Sequence, residues 1–158
     1  MKIAWLTAMA LGLTLGSAGQ DRHEAPVFKV ELTIKDGTEA AAKTGRRYTL
    51  LVNSGEKGTF RSGNRMPVTA ANGSVNYVDV GVNIDATVRE QNGTFPMRAE
   101  IEVSSAAKPE PMQQPVIGQM RISVSTTVVM GKTTQVAAVD DPVTQRKFEV
   151  DALVTKIN

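Results

Sequence analysis

Two acids and a glycine interrupt the stretch NYVDVGVNIDATV, residues 76 to 88, where Val78, Val80, Val82, Ile84, Ala86 and Val88 alternate with Tyr77, Asp79, Gly81, Asn83, Asp85 and Thr87. Paired carboxylates are what acid–base catalysis or a hard cation would need. Asp79 and Asp85 share one side of such a strand but lie about 20 Å apart along it, too far to share a proton or an ion. Glu100 and Glu102 are closer, yet they alternate with apolar residues and read as the wet side of a sheet. Asp140-Asp141 offers oxygens to calcium, but no spaced loop of ligands surrounds the pair and a turn is the simpler reading.

Nucleophilic chemistry fares no better. His23 is the only histidine and sits in a polar N-terminal lead, so a triad or a His-based metal site has no other imidazole. Ser104-Ser105 has no evident activating base. The run GKTT at 131 to 134 is similar to the end of a phosphate loop, but Thr126 stands where that motif begins with glycine, and a hairpin turn explains it better. Arg46, Arg47, Lys57, Arg61 and Arg65 could meet phosphate, but with aromatics at 4% of the chain there is no stacking platform for nucleic acid. The absence of cysteine excludes disulfides, thiolate chemistry and a lipoprotein anchor. No catalytic residue, cofactor or metal is assigned, and an enzyme is not expected.

The elements carrying these residues are strands. VFKVELTIK sets Phe28, Val30, Leu32 and Ile34 against polar neighbours, the period-2 pattern of a half-buried strand. TEAAAKTG has helix formers but is too short to hold a helix alone, and reads as a loop. Tyr48, Leu50 and Val52 mark the next strand, and KGTFRSGNRMPVTA gives one or two short strands broken at Gly63 and Pro67. Pro67 cannot donate to a ladder, which favours an edge or a bulge. Asn72-Gly73 and Asn92-Gly93 are hairpin signals that bracket the opening stretch, and this explains them better than glycosylation does. Phe95, Met97, Ala99, Ile101 and Val103 form a partner strand expected to pair antiparallel with it. AAKPEPMQQP is an exposed loop. Beyond it, Met120, Ile122, Val124 and Val128 point inward, Gly131-Lys132 and Asp140-Asp141-Pro142 turn the chain, and Phe148, Val150, Ala152 and Val154 close it.

Seven to nine strands without a helical period indicate an all-β fold, an antiparallel β-sandwich or partly closed barrel. Gly81, in mid-strand, is expected to mark a bulge, a bend or a close approach of another backbone.

Residues 1 to 19 combine Lys2, an apolar run from Ile3 to Leu15 and a small-residue end, the pattern of a signal peptide; the run is short for a membrane anchor. A polar lead follows over 20 to 26 and one domain over 27 to 158. An exported protein of the periplasm or outer envelope is expected, soluble or peripherally attached to a membrane. Charge is uneven: residues 29 to 65 carry eight Lys or Arg against four Asp or Glu, and residues 66 to 110 three against six. Such asymmetry can bring surfaces together, although charges solvating strand faces are the plainer explanation.

From Gly58 to Ile157 the order of RSGNRMPV, NYVDVGVNIDATV, AEIEVSS, a proline-bearing loop and PVIGQMRISVSTTVVMGKTTQVAAV resembles the C-terminal homology region of bacterial secretins, the outer-membrane channels of type II and III secretion and type IV pili. Val80 to Ala86 stands at the family's first strand motif, Glu102-Val103-Ser104 at its second, Arg121 on its third strand and Gly131 at its turn. The proline usual after the first motif is replaced by Thr87-Val88, and Ala137-Ala138 stands for a glycine pair. The resemblance implies a structural role in channel wall or gate. With about 40 residues between the leader and the match, less than a full channel subunit is expected.

The expected function is thus a non-enzymatic structural or assembly component of secretion or pilus machinery, binding an envelope protein or itself. A soluble β-sandwich holding a small ligand, lipid or polymer is the alternative. The interaction surface is placed at the edge around Pro67, at Gly81 and Arg121, and in the loop from Ala106 to Pro115 with Pro109, Pro111 and Pro115.

Overall fold

The computed structural model describes residues 25–37, 45–70, 73–106, 116–140 and 147–157. The expected leader, residues 38–44 of the TEAAAKTG loop, Asn72 of the Asn72-Gly73 hairpin signal, His23, Pro109, Pro111, Pro115 and the Asp141-Pro142 turn lie outside them. Eight strands follow in order: β1 (Val27–Asp36), β2 (Arg46–Asn53), β3 (Lys57–Thr69), β4 (Val75–Val88), β5 (Phe95–Ala106), β6 (Ile117–Val128), β7 (Thr134–Asp140) and β8 (Lys147–Lys156). They form two separate four-stranded antiparallel sheets, β2-β1-β8-β7 and β3-β4-β5-β6. The architecture is a sandwich and not a closed barrel. No helix among the described residues is long and apolar enough to cross a membrane.

Alternation builds the core. Phe28, Val30, Leu32, Leu50, Val52, Val150, Ala152 and Val154 of the first sheet meet Val82, Ile84, Ala86, Val88, Met97, Ala99 and Ile101 of the second, all buried. Phe28 and Phe95 touch edge to face at 6.0 Å across the layers, and Tyr48 and Phe60 meet with tilted rings at 5.6 Å. No charged or polar residue among those described is buried. This is the economy of a sheet whose outer side can stay wet while its inner side leaves water.

Asn92-Gly93 turns β4 into β5 with both residues at positive φ, 51° and 74°, the two-residue hairpin geometry that Asn-Gly favours. The register follows from it, setting Val88 opposite Met97 and Val82 opposite Val103.

Two expectations change. β3 is one continuous strand of 13 residues, because as an edge strand it tolerates Gly63 and Pro67 without losing its single partner ladder. The inward face of β4 reaches burial only from Val82: Val78 and Val80 keep the alternation but remain half exposed and lie outside the core cluster.

Candidate interaction surface

Each sheet ends in open strands: β2 and β7 in one, β3 and β6 in the other. β2 packs over β3, and β6 over β7, so the open edges are stacked in pairs on opposite flanks of the sandwich. β6 is the barest of the four. Over 12 residues, IGQMRISVSTTV, it holds one charged side chain, Arg121, and no proline. A long edge of that composition is a ready template for another strand. Pro67 is on the opposite edge, β3, as its chemistry demands.

The second sheet also forks. β4 and β5 pair from Val82–Val103 to Val88–Met97 and then part. Beyond the parting, Val75 to Gly81 pair with β3 alone, and Ser104 to Ala106 with β6 alone. Two hairpin arms result.

Gly81 sits at the parting, with φ at 155° and Gly63 directly opposite on β3. A Cβ on Gly81 would overlap the Ser62 carbonyl oxygen and the Gly63 Cα, and one on Gly63 would stand 2.5 Å from the Val80 carbonyl oxygen. The mid-strand glycine therefore serves a close approach of two backbones. Ser104 completes the junction: its hydroxyl accepts from the Gly81 N–H at 2.9 Å and donates to the Gly81 carbonyl at 3.4 Å. A side chain thus replaces the ladder bond that the separating strands give up.

The outer face around the fork is polar. A cleft of about 420 Å³ is lined there by Arg61, Arg65, Asp79, Gly81, Asn83 and Ser104, among others. Arg121 is on this face, 2.6 Å from Glu102, which also accepts from Gln119 at 2.7 Å. Those hydrogen bonds, Arg121 first, hold the Glu102 carboxyl below its ordinary value. Burial pushes the Asp85 carboxyl up, but hydrogen bonds from Arg61 and Thr59 and the Lys57 charge outweigh it, so that Asp85 is lowered. Asp79 is paired with Arg65 at 3.1 Å. All three acids are tied to cations, and Asp85 and Glu102 are thereby held as carboxylates. Among the described residues no cluster of His, Asp and Glu could hold a metal.

The structure thus brings Gly81 and Arg121 to one outer face and puts Pro67 farther along the same hairpin arm. Sequence reasoning took Gly63 as a strand break and set Ser104 and Glu102 aside as catalytic groups, and it assigned none of the three to the interaction surface. Gly63 carried a signal, a second mid-strand glycine, but its meaning depends on which residue stands opposite.

Neither a family model nor a curated protein sequence matches the chain. Solved structures do. The chain is similar to one from the Klebsiella pneumoniae type II secretion outer membrane complex of PulD, PulS and the PulC HR domain, at 13% identity and TM-score 0.58, over 85% of this chain and 40% of that one. The InvG secretin domain β-barrel from the Salmonella injectisome gives 13% and 0.55, over 84% and 62%. Aeromonas hydrophila ExeD gives 11% and 0.51, over 84% and 46%. The chain has the fold of a secretin-like domain, and it spans less than two thirds of each of these chains.

Proposed function

We propose that the protein is a non-enzymatic structural component of the cell envelope, exported to the periplasm or outer envelope. There it builds or supports secretion or pilus machinery by joining copies of itself side by side. The observation that carries this is the stacking of open edges in pairs, β2 over β3 on one flank and β6 over β7 on the other. Each sheet has four strands, all antiparallel, so its two edge strands run in opposite directions. A neighbour set flank to flank therefore meets antiparallel pairing in both layers at once, β6 with β3 and β7 with β2. Such a contact is head-to-tail, and repetition closes it into a two-layered ring if the rotation allows. The similar structures from secretion complexes support this reading, as does the pairing of Asp79, Asp85 and Glu102 with cations near the fork.

The alternative, a sandwich holding an apolar ligand between its sheets, is not favoured, because that space is filled by fully buried side chains such as Phe28, Leu32, Ile84 and Met97. The test is particle mass in solution, with proline placed at Ser125 and, separately, at Thr126. Adjacent N–H groups point to opposite sides of a strand, so one variant spares the β5 ladder and removes an edge donor. Multimeric wild type, and a monomeric but fully folded proline variant, are expected. A strictly monomeric wild type would refute the proposal.

A further inference from the structure

We infer that both outer faces of this sandwich are built to stand in water, so that a wall made from it is wetted on its two sides and does not contact lipid acyl chains. The inference deepens the proposed structural role by naming the medium the wall faces.

A β-wall in a bilayer needs an outward apolar band about 25 Å tall, which at about 3.4 Å per residue and alternate positions is about four consecutive outward apolar side chains on each strand. On β1 the outward positions read Val27, Lys29, Glu31, Thr33 and Lys35, and on β8 Lys147, Glu149, Asp151, Leu153 and Thr155. β2 offers Leu51 between Thr49 and Asn53. In the other sheet the longest outward apolar run is two, Val75 and Tyr77 at the tip of one arm, and Asp79 ends it.

The charges are paired with one another along and across the strands of each sheet. On the first, Lys29 pairs with Glu31 at 3.1 Å and Lys35 with Asp151 at 2.7 Å, while Lys147 pairs with Glu149 at 3.3 Å. On the second, Arg61 meets Asp85 at 2.8 Å and Arg121 meets Glu102 at 2.6 Å. On the first sheet these pairs are spread from Lys29 to Lys35 along β1 and from Lys147 to Asp151 along β8, and on the second they lie where all four strands are joined, so acyl chains could cover neither face without stripping ionic groups of water. Apolar exposure is scattered, with Tyr77 at 65% on an arm tip, Val116 at 72% just before β6 and Leu51 at 64% beside the charged Lys29, and it forms no band.

The cysteine-free chain allows a direct test. Single cysteines at Thr49 and Gln135 on one face and Ser123 on the other, in the full chain, are labelled with a polarity-sensitive fluorophore. The protein is then mixed with phosphatidylethanolamine–phosphatidylglycerol vesicles, with and without doxyl-labelled lipid. At all three positions the emission is expected to stay unshifted, with unchanged quenching by aqueous iodide. A blue shift with quenching by doxyl lipid at any of the three would overturn the inference, whatever the N-terminal residues do. Particle mass, measured on the same samples, reads self-association separately, so each idea can fail without the other.

Discussion

Gly81→Ala should destabilise the protein far more than an exposed glycine replacement. Two costs meet at this position. An alanine there must keep a φ of 155° that side chains rarely adopt, which costs about 2 kcal/mol. Its Cβ must also displace the backbone of Ser62 and Gly63, and backbone yields less readily than a side-chain end, for about 2 kcal/mol more. Alanine stiffens the unfolded chain and returns about 0.7 kcal/mol. The net is a loss of about 3 kcal/mol, read as a drop of about 10 °C in Tm for a domain of this size. Gly63→Ala meets the contact without the φ cost and should lose about 1 kcal/mol. Gly73→Ala keeps an unfavourable φ of 82° but has nothing within 4 Å of its Cβ, and should also lose about 1 kcal/mol. Urea titration of the three variants at one pH supplies the ranking. A Gly81→Ala midpoint indistinguishable from that of Gly73→Ala would refute the close-approach account of the fork.

Three further outcomes follow from the same contacts. Ser104→Ala leaves the Gly81 N–H without its partner, so a loss of about 1 kcal/mol is expected, together with faster hydrogen exchange at that amide; unchanged exchange would show that the clasp does not close the fork. Ile84→Ala, at a fully buried position, should cost about 2–5 kcal/mol in urea unfolding, whereas Val78→Ala on the overhanging arm should cost well under half as much. Asp85 and Glu102 titrate below their ordinary values when folded, so the stability they add is complete above the unfolded value of about 4 and is lost as pH falls through the folded values. The Tm should therefore fall on acidification below about pH 5, and an Asp85→Asn, Glu102→Gln double variant should show a shallower acid limb.

The sheet was legible because one face of each strand is core and the other water. Phe28 to Ile34, Met97 to Val103 and Phe148 to Val154 announce themselves by period alone. The same rule overreached on β4: Val78 and Val80 keep the alternation, but burial needs a sheet opposite, and strand pattern carries no information about where the opposing layer ends. Pro67 was placed at an edge by a missing donor, and that survives because a missing N–H is local chemistry.

The partner of Gly81 was not legible, for a reason of register. A two-residue turn at Asn72-Gly73 would have set Gly63 against Val82; the observed pairing sets Thr69 against Val75 and Gly63 against Gly81. One residue of slip decides whether two glycines meet. Ser104 was quoted within a motif, yet its clasp exists only because β4 and β5 part beside it, a tertiary event.

The head-to-tail joining of copies is tested most directly by covalent capture across the flanks. Thr59 on β3 and Ser123 on β6 lie on one row of the sheet, through Asp85 and Glu100, at its two open edges. In the cysteine-free chain, Thr59→Cys with Ser123→Cys treated with a short bismaleimide should give a ladder of covalent multimers, while each single variant stays uncross-linked. A double variant that remains monomeric, or a Thr59→Cys single variant that dimerises as readily as the double variant, would contradict the account.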